Sequence, residues 1–143
     1  MLSIIILTFA AIEALNILVL YFRPGTTKGN GLGAFTAYEK SRADPELFVL
    51  IQYLINWVAG TKLIFVCLLV VIGILGDDTV KLISMAALIL SIASYYWRLH
   101  PIIKKLDDQN QIIPKGYSKT LGMMIGSFIG IFFVVMVIQL ITT

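Results

Sequence analysis

Hydrophobic residues run through four long segments of the chain, and shorter stretches rich in charge, glycine and proline separate them. The first segment covers residues 2–22, and the others cover about 50–75, 80–97 and 118–141. A helix of the first segment's length would measure about 31 Å, which matches the hydrocarbon core of a bilayer. Runs of this length are typical of helices rather than strands. The pattern therefore predicts four transmembrane helices.

Turn and capping residues mark where these helices begin and end. Residues 23–25, Arg-Pro-Gly, end the first helix. Residues 34–42 are expected to form a short surface helix, and residues 44–46 then start the second long helix, with Asp44 as N-cap and Pro45 in the first turn. An acid or the threonine of residues 77–79 is expected to cap the third. Residues 98–119 are expected to form a second long loop.

Composition places this chain in lipid rather than in water. Hydrophobic residues make up 59% of it and charged residues only 13%, whereas soluble domains carry about 25% charged residues. A chain of 143 residues cannot hide so much apolar surface in its own core, because small domains bury only about two-thirds of their unfolded area. The sequence therefore predicts one all-α integral membrane domain over residues 1–143, an antiparallel bundle of four transmembrane helices.

The distribution of basic residues predicts the orientation of that bundle. Loops 23–46 and 98–119 hold nine of the 11 lysines and arginines. Cytoplasmic loops collect such residues, so we expect both loops in the cytoplasm and both termini outside. The bacterial inner (plasma) membrane is the expected location. The bases also explain the net charge of +3 without nucleic-acid binding, and each can gain about 1 kcal/mol from anionic lipid.

Two polar residues stand inside the first predicted span. Glu13 and Asn16 are three residues apart and share a helix face. A carboxylate at mid-bilayer costs about 2.5–3.5 kcal/mol on insertion scales, so we take Glu13 as a candidate functional residue. Lys62 is the base within a span that is best placed to pair with it. The alternative is that Lys62 extends to the headgroups while Glu13 stays protonated and bonds to Asn16 or a serine.

A stripe of polar residues begins the second long helix. Gln52, Asn56 and Gly60 recur every four residues. Such amides often act as hydrogen-bonding glue between membrane helices, and the alternative is a polar mouth leading toward Glu13. We therefore include them in the candidate intramembrane polar site, whose members are Glu13, Asn16, Lys62, Asn56 and Gln52.

The fourth segment carries glycines at a spacing that favours close helix packing. Gly122, Gly126 and Gly130 are four residues apart and fall on one face, where another backbone can approach. Ser84 and Ser91 belong to a face of small residues on the third segment. The two faces could pack against each other within the chain, or the glycines could form a seam between copies.

No set of residues with catalytic or metal-binding spacing is evident. His100 is the single histidine and Cys67 the single cysteine, so the paired spacings of metal sites are missing. We expect the acid pairs 77–78 and 107–108 to lie at solvated ends of loops. We expect no metal and no cofactor, and the sequence does not indicate an enzyme.

Three functions agree with these features. The first is a small membrane protein that acts by assembly, as a homo-oligomer or a subunit of a membrane complex, through the glycine seam. The second is a small transporter or channel in which Glu13, Asn16 and Lys62 line a polar path. The third is a lipid-binding or lipid-handling protein that uses the basic loops and the Gln52 and Asn56 stripe.

Overall fold

The computed structural model describes residues 1–142, which form five helices and no strand. The helices are α1 (Leu2–Phe22), α2 (Thr36–Ser41), α3 (Pro45–Leu75), α4 (Asp78–Asp108) and α5 (Tyr117–Thr142). The predicted all-α class is confirmed. Within the described residues, α1, α3, α4 and α5 are each long and apolar enough to cross a membrane, which fits a four-helix bundle of a multi-pass membrane protein.

Two helix starts follow the capping chemistry that the sequence predicts. The Asp44 carboxylate accepts hydrogen bonds from the backbone N–H groups of Glu46 and Leu47, each at 3.1 Å, and caps α3. The Asp77 carboxylate accepts one from Val80 N–H at 2.8 Å and caps α4. Both carboxylates satisfy donors that a helix otherwise leaves unpaired in its first turn.

The third long helix extends further than predicted. Residues 98–108 were expected to lie in a loop, but α4 continues through Pro101 to Asp108. Proline removes one hydrogen bond from the helix interior. Burial of Ile103, which is only 5% exposed, holds this last part of α4 against Ala34 and Ile112 of the two loops. The apolar contacts of the extension thus outweigh the local cost of Pro101.

The four long helices pack as two antiparallel pairs, α1 with α3 and α4 with α5. We call the end of the bundle with Met1 and the α3–α4 turn the terminal end, and the end with the two long loops the loop end. Phe9 of α1 joins the pairs, because its ring meets those of Phe128 and Phe132 of α5 edge-on at 5.5 and 5.1 Å between centroids. This aromatic cluster closes the space between the pairs toward the terminal end.

A buried glycine brings α1 and α3 together near the terminal end. A Cβ atom at Gly73 would lie 2.8 Å from Leu7 Cδ2, closer than side chains approach. Glycine therefore lets the two helices pack more tightly here than any other residue would.

The two long loops are joined at the loop end. Phe35 and Ile112 form an isolated antiparallel β-bridge. Thr36 N–H donates to the Gln111 carbonyl at 3.0 Å, and Ile113 N–H donates to the Ala34 carbonyl at 2.9 Å. These bonds connect the α1–α3 pair to the α4–α5 pair.

Asp107 is buried, contrary to the expectation that it lies at a solvated loop end. Its carboxylate accepts hydrogen bonds from Gly116 N–H and Ser118 N–H at 3.0 Å and from Ser118 Oγ at 2.7 Å. It therefore caps α5 from across the loop. Asp107 follows the apolar part of α4, beyond Lys104 and Lys105, and the hydrogen bond from the Ser118 hydroxyl lowers the pKa of its carboxyl below the ordinary value.

Large apolar side chains are exposed along all four long helices. Only 17–28% of the most apolar stretch of each helix is buried inside the chain. Soluble monomers rarely leave such large apolar patches open. The outer faces of the bundle therefore match a lipid environment.

We expect Asp107→Ala to lower the thermal unfolding temperature of the detergent-solubilised protein by several degrees, because three donors at the start of α5 lose their acceptor. Asp108→Ala is the matched control, since Asp108 is exposed and should be neutral. A carboxyl with a lowered pKa stabilises the fold above its unfolded pKa, so this contribution should be lost as pH falls through the lowered value. Equal unfolding temperatures of the two variants would contradict the capping role.

Candidate functional site

A cavity of about 500 Å³ lies between the two helix pairs in the loop-end half of the bundle. It begins where the cluster around Phe9 stops and reaches the first loop. Its walls come from α1, α4 and α5, while α3 contributes one lysine. The lining residues are Phe9, Ile12, Glu13, Asn16, Thr27, Gly29, Asn30, Lys62, Ile92, Tyr95, Leu99, Tyr117, Thr120, Leu121, Met124, Ile125 and Phe128.

An ion pair lies on the wall of this cavity. Lys62 Nζ of α3 contacts Glu13 Oε2 of α1, and the two side chains are only 23% and 16% exposed. They are the only charged side chains among the residues that line the cavity. When both are ionised, the lining therefore carries no net charge.

Asn16 lies on the same face of α1 as Glu13, one turn closer to the loop end. The tip of the first loop packs against it. A Cβ atom at Gly29 would lie 2.9 Å from Asn16 Oδ1, and Gly29 has a φ of +56°. Both the close approach and the left-handed backbone require glycine here. Gly29 thus lets the loop cover the loop end of the cavity.

Tyr95 lines the cavity from α4, although the sequence did not single it out. The residue is 9% exposed, and its hydroxyl is buried without a hydrogen-bond partner among residues 1–142. In the sequence, Tyr95 belongs to an aromatic cluster, Tyr95-Tyr96-Trp97, that is typical of a membrane boundary. Because α4 continues for three more turns, Tyr95 lies inside the bundle instead. Ile92 and Leu99 lie at helical spacing from Tyr95, but Leu99 is 50% exposed, so this spacing alone would not have indicated the burial of Tyr95.

Gln52 and Asn56 are not brought together with Glu13, Asn16 and Lys62. Both amide residues are exposed, and Asn56 Nδ2 donates to the Gln52 carbonyl at 2.8 Å. At about 100° per residue, Asn56 lies about 120° and Gln52 about 80° around α3 from Lys62. Of the five predicted polar residues, three line the cavity and these two lie on the outside of α3.

Two of the three predicted packing glycines face α4. A Cβ atom at Gly122 would lie 3.4 Å from His100 Nε2, and one at Gly126 would lie 3.0 Å from the Tyr96 hydroxyl. That hydroxyl donates to the Gly122 carbonyl at 2.6 Å. The glycines therefore make room for aromatic side chains of α4.

The remaining small residues do not take part in this contact. A Cβ atom at Gly130 would meet no atom within 4 Å. Ser84 is half-buried and Ser91 is exposed on α4, and neither is near a Cβ position of the three glycines. The predicted small face of the third segment and the glycine seam are thus not apposed.

A second, more open space has a volume of about 410 Å³ and lies between α2, α3 and the end of α1. Its lining carries no charged side chain, and Asn30 is the residue that it shares with the first cavity. It offers few groups that would orient a ligand.

The cavity provides an ion pair, two amides and several hydroxyls within apolar walls, which suits reversible binding of a molecule that is partly polar. No group of three metal-binding side chains occurs within residues 1–142. No protein-family model, curated protein or solved structure matches the chain. The function must therefore be argued from the cavity itself.

We expect Glu13→Gln to destabilise the protein by about 3 kcal/mol or more, because it leaves Lys62 without its partner in an apolar setting. The double variant Glu13→Gln, Lys62→Met should recover most of this loss, since no unpaired charge remains. Denaturant unfolding in detergent micelles measures both. If the double variant is no more stable than Glu13→Gln alone, the two residues do not act as a pair.

Proposed function

We propose that this multi-pass membrane protein binds an amphipathic small molecule within the bilayer, in the cavity between its two helix pairs. The observation that carries the proposal is the Glu13–Lys62 ion pair on the wall of an otherwise mostly apolar cavity. Charged groups inside a membrane are expensive and usually serve a substrate or ion pathway. A cavity of about 500 Å³ also lies within the range of small-molecule sites, about 300–1,000 Å³.

The polarity of the cavity changes along the bundle axis. Asn16, Asn30 and Thr120 line it toward the loop end, while Phe9 and Phe128 line it toward the terminal end. On α5 the lining runs from Tyr117 to Phe128, a distance of about 16 Å along a helix. An elongated molecule with one polar and one apolar end would match this gradient.

Several lining residues are also exposed on the outside of the bundle. Ile12, Leu99 and Met124 are 37%, 50% and 47% exposed and line the cavity from α1, α4 and α5. We place the mouth of the cavity at these residues, between the helix pairs. In a bilayer, an amphipathic molecule would enter through this mouth directly from the lipid.

We further propose that the loop end faces the cytoplasm of a plasma membrane and that both termini lie outside. The loop end carries nine bases and five acids, whereas the α3–α4 turn carries Asp77, Asp78 and one base, Lys81. The nine bases are all exposed, which supports contact with anionic lipid headgroups. They are Arg23, Lys28, Lys40, Arg42, Arg98, Lys104, Lys105, Lys115 and Lys119.

Cysteine labelling tests the orientation. In a variant without Cys67, a cysteine at exposed Gln109 should react with a membrane-impermeant maleimide only after the cells are permeabilised. A cysteine at exposed Thr79 should react in intact cells and serves as the matched control. The reverse pattern would contradict the proposed orientation.

Blocking the mouth of the cavity tests the binding function. Three single-chain amphiphiles of equal chain length serve as probes: a monoacylglycerol, an alkyl sulfate and an alkyltrimethylammonium salt. We expect at least one to bind the purified protein in a one-to-one complex, as measured by native mass spectrometry. Leu99→Trp should weaken that binding by about tenfold, which corresponds to about 1.4 kcal/mol.

Leu90→Trp is the matched control for the blocked mouth. Leu90 is exposed on the same helix, and at nine residues from Leu99 it lies about 180° around α4. The control should bind the probes as the unmodified protein does. If no probe binds, or if both variants bind equally well, the cavity is not a binding site for amphiphiles.

Assembly through α5 is a second candidate function, and Gly130 is the observation that favours it. Gly130 is exposed and nothing packs on it within the chain. Exposed Ser127 lies three residues away, so a small face remains available to a helix of another copy.

Gly130→Leu tests the second candidate without disturbing the contacts of Gly122 and Gly126. If copies associate through this face, the variant should have a lower mass in detergent, measured by light scattering after gel filtration. Leu90→Trp controls for an enlarged side chain on an outer face. An unchanged mass in Gly130→Leu would leave no role for Gly130 in assembly.

A further inference from the structure

We infer that the bound amphiphile has a polar end without net charge, and that this end forms a hydrogen bond with the buried hydroxyl of Tyr95. The inference rests on the proposed function and narrows it to a class of ligand. Two independent observations carry it: the balance of charge in the cavity lining and the missing partner of one hydroxyl.

Charge balance is the first observation. Glu13 and Lys62 are the only charged residues that line the cavity, and they are paired with each other. A cationic ligand would compete with Lys62 for the Glu13 carboxylate and would leave the lysine unpaired. An anionic ligand would compete with Glu13 for the Lys62 ammonium and would leave the Glu13 carboxylate unpaired. A polar end without net charge disturbs neither residue, and it can still accept from the ammonium or donate to the carboxylate.

The hydroxyl of Tyr95 is the second observation. A buried polar group without a hydrogen bond costs free energy, and such groups are rare enough to need an explanation. The residue lines the cavity from α4, and its neighbours Tyr96 and His100 contact it through their rings, at 5.1 and 5.6 Å between centroids. The hydroxyl has less than 1 Å² of accessible surface, so a ligand oxygen in the cavity would become its partner once the Tyr95 ring turns toward it.

The hydroxyl of Tyr95 calls for a hydrogen-bonding atom on the ligand, and the balanced charge of the lining favours a neutral one. A tyrosine hydroxyl can donate one hydrogen bond and accept others, so an alcohol, ester or ketone oxygen fits it. The apolar residues Phe9, Ile92 and Phe128 line the deeper part of the cavity and fit a hydrocarbon chain. The structure thus assigns a neutral single-chain lipid with a hydroxyl or carbonyl group, for which a monoacylglycerol is a suitable probe.

The test compares the binding of the three probes named above to the protein of residues 1–143 in detergent. The monoacylglycerol should bind about tenfold more tightly than the alkyl sulfate or the alkyltrimethylammonium salt. Tyr95→Phe removes only the hydroxyl and should weaken monoacylglycerol binding by about three- to tenfold, as expected for one hydrogen bond. Tyr53→Phe, on an exposed tyrosine outside the cavity, should change nothing.

Variants of the ion pair test the charge argument separately. Glu13→Gln should shift the preference toward the alkyl sulfate, Lys62→Met should shift it toward the alkyltrimethylammonium salt, and the double variant should again prefer the monoacylglycerol. The double variant keeps the test valid if a single variant fails to fold.

The outcomes distinguish the inference from the proposed function. If all three probes bind equally and Tyr95→Phe has no effect, the inference is wrong while binding of an amphiphile stands. A preference for the monoacylglycerol that Tyr95→Phe leaves unchanged would overturn the assignment of Tyr95. If no probe binds to any variant, both the inference and the proposed function are wrong.

Discussion

The ion pair between Glu13 and Lys62 is the interaction on which the loop-end half of the protein depends. Each residue alone would place a charge among apolar side chains, which is unfavourable without a partner. Together they link α1 to α3 and supply the only charges that line the cavity. The pair therefore unites a structural and a chemical role. A change to either residue alters both the packing of α1 against α3 and the electrostatics of the site.

The cavity itself arises from uneven packing between the two helix pairs. Within each pair the helices are in close contact. In the α1–α3 pair, Gly73 leaves room for Leu7, and in the α4–α5 pair, Gly122 and Gly126 leave room for side chains of α4. Between the pairs, bulky rings around Phe9 fill the terminal-end half. Toward the loop end the rings of Tyr95 and Tyr117 line the space without filling it, and a cavity of about 500 Å³ remains.

The sequence predicted the features that depend on local composition. Hydrophobic runs located the four long helices, Asp44 marked the start of α3, residues 77–79 marked the start of α4, and depth in the predicted span drew attention to Glu13. Features that depend on distant contacts were not predictable in this way. Asp107 is buried because it meets Ser118 across a loop, and Tyr95 is buried because α4 continues past Pro101. The separation of Gln52 and Asn56 from Lys62, by contrast, follows from helical spacing alone. The prediction missed it because it grouped these polar residues along the chain rather than around the helix.

The bridge between Phe35 and Ile112 has a mechanical consequence for the space between the helix pairs. The pairs are tethered at both ends, covalently at the α3–α4 turn and by backbone hydrogen bonds between the loops at the other. Because they are held at both ends, the two helix pairs cannot separate by rotating about a single hinge. The space between the pairs can widen if the helices bend outward near their middles. Otherwise the hydrogen bonds between the two loops, next to Gln111, must break first. Any widening of the space between the helix pairs would therefore strain the hydrogen bonds between the two loops.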